Sequence, residues 1–232
     1  MAKALGIITG ARKGVGRYLA EHYLERGFAI AGCSRGETDL EAPGYHHRSL
    51  DVADEPQVKE FFRELRLRYD ELAFLINNAG VASMNHVLLT PVPTVRRIFE
   101  TNVMGSFLFS REAGKWMSRR EGGRIVNVTT AATRWKLEGE AAYASSKAAV
   151  ESLTQILSRE LAPMGVTVNA VAPPLLRTDL TRSVPAEKLD ELLRRQAIPR
   201  FGEMSDVANA IDFFLDPESR LVTGQVLYLG GV

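Results

Sequence analysis

Tyr143-Ala144-Ser145-Ser146-Lys147 sets a phenol and an ammonium four residues apart in an Ala-rich stretch of helical character, so the two side chains share one helix face. An ammonium beside a phenol favours the phenolate and draws a group of reference pKa ~10 toward neutrality, which suits a general acid for a carbonyl oxygen. The same spacing also describes an exposed Tyr and Lys on a solvated helix. A second feature is Thr9-Gly10-Ala11-Arg12-Lys13-Gly14-Val15-Gly16, which closes an apolar run and opens a helix. Its glycines permit positive φ and close backbone approach, and the helix N-terminus offers free N–H groups and partial positive charge, as a phosphate-binding turn requires. A tight turn that binds nothing is the alternative, although the strand-turn-helix context that supports phosphate binding is present. The three-residue gap between the first two glycines departs from the G-x-G-x-x-G of dinucleotide-binding dehydrogenases at large. A third feature, Gly32-Cys33-Ser34-Arg35-Gly36, matches the G-x-S-x-G elbow of serine hydrolases. It is a decoy: residues 38–44 break the helix that an elbow must enter, and no histidine follows His86 to serve the hydrolase order.

The elements that must position these groups alternate. Apolar runs at residues 4–9, 28–33, 72–76, 124–129, 166–171 and 225–229 read as buried strands, and stretches at 15–26, 57–69, 94–119 and 142–161 have helical spacing. This alternation predicts an α/β fold with a parallel, doubly wound sheet. Residues 35–46, with Gly36, Pro43 and Gly44, are too short and turn-rich for a crossover helix and read as a loop. Pro173-Pro174 ends the sixth run, and helical pieces at 186–196 and 205–215 precede the last. No linker, repeat or low-complexity segment divides the chain, so residues 1–232 read as a single domain with a substrate-pocket insertion around 174–204.

Composition narrows the partner. The 232 residues are 45% apolar and 25% charged, which excludes a disordered or fibrous chain, and 29 Lys and Arg against 28 Asp and Glu leave a net charge of +1. That balance gives no reason to expect nucleic acid or a membrane surface and points to a small molecule. Cys33 has no partner for an internal disulfide, and four histidines (His22, His46, His47, His86) make no zinc cluster, so no metal is expected. The N-terminus is too short for a signal core and no apolar run approaches a membrane span, so a cytoplasmic protein is expected.

Together the residues resemble the short-chain dehydrogenase/reductase family in its single-domain form, over nearly the whole chain. The resemblance rests on the Gly10/Gly14/Gly16 turn, Asp51-Val52, Asn77-Asn78-Ala79-Gly80, Asn102, Tyr143-x-x-x-Lys147 and Pro173-x-x-x-x-Thr178, in the family's order. It implies a Rossmann fold of about seven strands with helices on both faces. It also implies that Tyr143 protonates the substrate carbonyl as hydride arrives, that Lys147 lowers the Tyr143 pKa and binds the nicotinamide ribose, and that Asn102 holds a water that replaces the proton. The family's usual serine falls on Thr130, whose hydroxyl can make the same hydrogen bonds while its β-branch adds a methyl group. Thr129 points to the other face if the strand continues. For the cofactor, the resemblance puts Gly10, Gly14, Val15 and Gly16 at the pyrophosphate, Asp51 and Val52 at the adenine, Asn78, Ala79 and Gly80 along the ribose, and Pro173 and Thr178 at the carboxamide. Pro174 stands where the family has glycine, and proline supplies neither positive φ nor an N–H, so this turn is expected to be shaped differently.

An acidic residue at the end of the second strand would bind a ribose 2′-OH and repel a 2′-phosphate. This chain has Ser34 and Arg35 there, with Arg12 and Lys13 adding positive charge, so NADP(H) is expected over NAD(H). The tail from Ile198-Pro199-Arg200-Phe201-Gly202 to Val222-Thr223-Gly224-Gln225-Val226 is similar to that of the 3-oxoacyl-thioester reductases of fatty-acid biosynthesis. The expected function is reduction of a ketone to a secondary alcohol, with a 3-oxoacyl thioester carried on acyl-carrier protein or CoA as substrate. A reductase of another small ketone (cyclic, steroid-like or sugar-derived) and a catalytically quiet NADPH binder are the alternatives. Met84, Trp135, Leu137, Leu175 and Leu176 are candidate pocket residues, Glu138 and Glu140 would disfavour an anionic substrate, and Arg119, Arg120 and Arg124 are candidates for a carrier-protein surface. The resemblance also implies a homo-oligomer, tetramer or dimer, although the tail Leu229-Gly230-Gly231-Val232 lacks the family's acidic residue.

Overall fold

A computed structural model describes residues 4–120, 122–178, 181 and 186–232. Seven strands form one parallel sheet in the order β3-β2-β1-β4-β5-β6-β7: β1 Leu5–Thr9, β2 Ala29–Ser34, β3 Tyr45–Ser49, β4 Leu72–Asn77, β5 Gly123–Val128, β6 Val166–Ala172 and β7 Val226–Tyr228. The buried strands follow the predicted runs, since β1, β4 and β6 are buried on both faces and must be covered twice. Residues 35–44 form the predicted loop without a crossover helix, but β3, which begins at Tyr45, is a strand that the sequence reading does not include. Its sequence Tyr-His-His-Arg-Ser carries no apolar run, and it forms because the edge of β2 offers a ladder from Ile30↔Tyr45 to Ser34↔Ser49.

Helices α1 (Gly14–Glu25) and α8 (Met204–Leu215) cover one face, where Leu19, Tyr23, Val207, Ile211 and Phe214 pack on Ile8, Ile30, Phe74 and Ile76. Helices α2 (Glu55–Arg66), α4 (Gly105–Met117) and α6 (Ala141–Leu161) cover the other, where Val58, Phe61, Phe62, Phe109 and Leu157 pack on Ile7, Leu75, Ile125 and Val168. Each such fully buried side chain contributes about 1.5–3 kcal/mol. Three shorter helices, α3 (Val92–Phe99), α5 (Ala132–Trp135) and α7 (Ala186–Arg194), stand over the sheet end or follow it. The sequence predicts one helix across 94–119, whereas α3 and α4 are joined by a π-helical turn, Glu100–Met104, that wraps Asn102. Because every strand is parallel, Gly10, Ser34, Asn78, Thr130 and Pro173 all follow strand C-termini at one end of the sheet. The strand order reverses between β1 and β4, and the crevice beside that switch is where an open α/β sheet holds its ligand.

Candidate active site

The glycine turn closes on itself by close approach. A Cβ on Gly16 would overlap the Gly10 carbonyl oxygen and come within 2.5 Å of Asn78 Nδ2, so α1 can begin against β1 only with glycine there. Asn78 stitches this turn to the end of β4: its Nδ2 donates to the Thr9 carbonyl at 2.9 Å, and the Asn78 and Ala79 N–H groups donate to Thr9 Oγ1 at 3.0 and 2.9 Å. Its amide is thus engaged by the turn.

Above this turn lies a cavity of about 1140 Å³. Of the residues predicted for the cofactor, Gly10, Arg12, Lys13, Gly14, Val15, Ser34, Arg35, Asp51, Val52, Asn78, Ala79, Gly80 and Thr178 line it. Gly16, Pro173, Tyr143 and Lys147 do not, Gly16 because it packs under the turn and Lys147 because it lies behind Gly80. Among the described residues, Arg12, Lys13, Arg35, Arg97 and Arg177 line the cavity against one carboxylate, Asp51, whose Oδ1 accepts from the Ala53 N–H at 2.9 Å. That charge balance and the cradle that a Cβ would fill both fit a polyanionic dinucleotide. Arg97, Arg177, Leu189, Phe201 and Met204 are lining residues that sequence reasoning missed. Arg177 lies 4.1 Å over the Phe201 ring, a contact between residues far apart in sequence that no local pattern announces.

At the other side of Gly80 stands the chemical group. A Cβ on Gly80 would meet Lys147 Nζ at 3.3 Å and Asn102 Oδ1 at 3.4 Å, so the ammonium and the amide back directly onto the cavity wall. Lys147 is buried and donates to the Val128 carbonyl at 2.7 Å. Tyr143 is half-buried one turn earlier on α6, beside the Thr130 hydroxyl. Thr130 Oγ1 accepts from Ala132 N at 3.3 Å, while Thr129 is buried and turns toward the Val171 carbonyl; β5 ends at Val128, before both residues. Asn102 is fully buried. Its Oδ1 accepts from Val81 N at 2.8 Å and its Nδ2 donates to Val81 O at 3.0 Å and to Ser146 Oγ at 2.9 Å.

The protonation of the pair departs from the sequence expectation. Burial pushes the Tyr143 phenol up to about 12, the Thr130 hydroxyl acts in the opposite sense, and the Glu140 carboxylate adds to the rise. Lys147 does not draw it down; burial lowers that ammonium itself to about 8. In each group the cost of desolvating the charged form is the largest cause of the shift. A phenol that stays protonated is nonetheless a competent acid. Glu140, one turn before Tyr143, is raised by burial, with Lys188 acting against the rise, and its Oε2 has no hydrogen-bond partner.

Other expectations shift. Leu175 and Leu176 are buried, Leu176 within the core beside α8, and they do not line the cavity. The Pro173-Pro174 segment is held by Gln196, whose Oε1 accepts from Leu175 N at 3.0 Å, and by the Leu175 carbonyl, which accepts from Gly202 N at 2.9 Å. Thr178 therefore reaches the cavity wall despite the second proline. The insertion around 174–204 is described except at 179–180 and 182–185, which lie outside the described residues. Arg119 and Arg120 follow α4 and Arg124 opens β5, at the end of the sheet opposite Thr130.

Comparison with known proteins agrees with this geometry. The family model described as enoyl-(acyl carrier protein) reductase matches residues 10–231. The 3-oxoacyl-[acyl-carrier-protein] reductase FabG of Staphylococcus epidermidis is 31% identical over 235 residues, covering 97% of this chain and 96% of that protein. The solved structure of ElxO with NADP bound superposes with a TM-score of 0.89 at 27% identity, covering 99% of this chain and 97% of that one. The ligand-free aldohexose dehydrogenase AldT of Thermoplasma acidophilum superposes at 0.91 and 29%, covering 99% and 94%. The sheet order, the glycine turn beside its switch point and these full-length matches have one reading: the chain belongs to the family of that model, within the short-chain dehydrogenase/reductases, and is an oxidoreductase.

Proposed function

We propose that this protein is an NADP(H)-dependent reductase that converts a ketone to a secondary alcohol, and that a 3-oxoacyl thioester is its substrate. The observation that carries the reading is Lys147 Nζ behind Gly80, one helical turn from Tyr143, at the wall of a cavity lined by Arg12 and Arg35. The relatives named as 3-oxoacyl reductases support the substrate, and the NADP bound in ElxO supports the cofactor.

Bound NADPH supplies the hydride to the carbonyl carbon. The chain supplies the rest. Arg12 and Arg35 pair with the 2′-phosphate, Gly10, Gly14 and Val15 approach the pyrophosphate, and Asp51 with Val52 borders the adenine. Asn78, Ala79 and Gly80 form the ribose side, and Thr178 faces the carboxamide. Thr130 donates to the substrate oxygen and holds it toward Tyr143. The Tyr143 phenol gives its proton to that oxygen as negative charge develops there, so carbon gains a hydride and oxygen a proton. Lys147 binds the nicotinamide ribose, and Asn102 holds the water through which the proton on Tyr143 is replaced.

Exposed Phe213 on α8 and Leu227 on edge strand β7 support self-association. No described helix is long and apolar enough to cross a membrane.

The test is turnover of acetoacetyl thioesters, cyclic ketones, sugars and an enoyl thioester, with NADPH and NADH, followed by absorbance of the reduced nicotinamide. Thioester ketone reduction with NADPH is the expected result. Reduction of the enoyl substrate alone, or of sugars alone, overturns the substrate assignment.

A further inference from the structure

The turn that carries Arg35 is held from β3. The Ser34 carbonyl accepts from Leu50 N at 2.8 Å, and the Arg35 carbonyl from Ser49 Oγ at 3.1 Å. The Gly36 carbonyl accepts from Ser34 Oγ at 2.6 Å and lies 3.1 Å from His47 Nε2, which is also 3.0 Å from Ser34 Oγ. On the far side of the imidazole, Nδ1 lies 2.9 Å from the Tyr45 hydroxyl. With a neutral imidazole, one proton arrangement satisfies all of these contacts. The Tyr45 hydroxyl donates to Nδ1, which puts the imidazole proton on Nε2, where it is shared by the Gly36 carbonyl and the Ser34 oxygen.

The neighbouring residue types fit this arrangement and little else. Tyr45 and His47 alternate onto one face of β3, and Gly32 on β2 pairs with His47. A Cβ on Gly32 would overlap the Tyr45 hydroxyl and come within 2.8 Å of Ala11 Cβ, so a side chain there would drive the Tyr45–His47 pair out. A Cβ on Gly36 would come within 2.9 Å of Arg12 Nη1, which places the Arg12 guanidinium against the turn that His47 holds. The G-x-S-x-G match thereby acquires a different meaning. Ser34 is no nucleophile, because its proton goes to the Gly36 carbonyl and His47 Nδ1 faces a phenol rather than a carboxylate.

We infer that His47 is a positioning residue for cofactor selection, which fixes the Ser34–Arg35–Gly36 turn so that Arg12 and Arg35 together receive a 2′-phosphate. This rests on the NADP(H) reading above. It differs from the usual account of such selectivity in placing part of the preference on an edge strand that the cofactor does not touch.

The test is calorimetric titration of the whole protein with NADPH and with NADH, for the native sequence and for His47→Ala, His47→Gln, His47→Asn and Arg35→Ala. Loss of one such positioning hydrogen bond is worth about tenfold in affinity. His47→Ala is expected to weaken NADPH by that factor and leave NADH unchanged, and His47→Gln, whose amide nitrogen reaches the Nε2 position, to restore NADPH binding. If His47→Ala does not fold, His47→Gln against His47→Asn decides the matter, because the shorter amide does not reach the Gly36 carbonyl. Equal NADPH affinity in that pair, or an NADPH-to-NADH affinity ratio that His47→Ala leaves unchanged, overturns the inference alone. A native protein that binds NADH as tightly as NADPH, or an Arg35→Ala variant that keeps full preference, overturns the cofactor reading itself.

Discussion

The side-chain amide of Asn102 donates to the Ser146 hydroxyl at 2.9 Å, both residues fully buried, and so ties the π-helical turn to α6 between Tyr143 and Lys147. Ser146 passes the link on by donating to the Tyr143 carbonyl at 2.7 Å. The second proton of the Asn102 amide goes to Val81, just past Gly80. One buried amide therefore sets the spacing of the helix that carries the acid and of the loop that lines the cavity. Ser146→Ala leaves an Asn102 N–H without an acceptor at a cost of about 1–3 kcal/mol. For a chain of this size that lowers Tm by roughly 2–4 °C per kcal/mol. Thermal unfolding alongside turnover checks this, and an unchanged Tm would show that the amide finds another acceptor.

Tyr143→Phe removes the transferable proton and keeps the ring. Turnover should fall by about 10²–10⁴-fold, the usual contribution of a positioned acid. Binding of NADPH should stay within a factor of two or so, since the ring that packs is retained. Titration of the cofactor by its fluorescence, next to initial rates, separates the two effects. Retained turnover would mean that another group delivers the proton.

Proton positions give the pH dependence its sign. Tyr143 is raised to about 12, so the phenol needed for reduction is present throughout the neutral range. Lys147 is lowered to about 8, so its charge is present below that value and is lost as pH rises through it. Reduction should be level at neutral pH and fall through about 8, while oxidation of the alcohol, which needs the phenolate, should climb with pH. Rate profiles in both directions test this. A reduction rate that rises across pH 8 would contradict a role for the charged lysine.

Arg35→Asp inverts the sign of the charge that meets the 2′-phosphate and supplies an acceptor for a 2′-OH. Two charge-assisted contacts changed from attraction to repulsion should shift the NADPH-to-NADH affinity ratio by about 100-fold or more toward NADH. Isothermal titration with each dinucleotide measures it. Because Arg12 also lines the cavity, some NADPH affinity should persist, and Arg12→Ala added to Arg35→Asp should remove it.

What could be read in the sequence was what short spacing controls. The glycine turn, the Tyr143–Lys147 pair and the buried strands depend on neighbours a few residues away, and their positions in the structure follow. β3 was hidden because Tyr45–Ser49 carries no apolar alternation and owes its conformation to the open edge of β2. The π-helical turn is not legible in the sequence because it serves the buried Asn102 amide, a tertiary demand. Arg97 and Arg177 reach the cavity from elements that only the fold brings together. The upward shift of Tyr143 was misjudged for a related reason, since spacing reveals which charge is near but not how much water is lost.

Gly14 and Gly16 differ sharply in what an alanine would meet, and this makes the turn itself testable. At Gly14 the backbone has φ of +59°, yet a Cβ would meet nothing within 4 Å. Gly14→Ala should therefore cost only the left-handed strain of about 1–2 kcal/mol and leave a folded protein with weakened cofactor binding. At Gly16 a Cβ would overlap the Gly10 carbonyl oxygen and crowd the Asn78 amide that stitches the turn to β4. Neither neighbour can retreat without moving β1 or β4, so Gly16→Ala should abolish dinucleotide binding and lower Tm well beyond the Gly14 variant. Paired melting curves and NADPH titrations decide it. If both variants behave alike, the turn is governed by backbone strain, and the close packing of α1 on the end of β1 is more forgiving than its geometry implies.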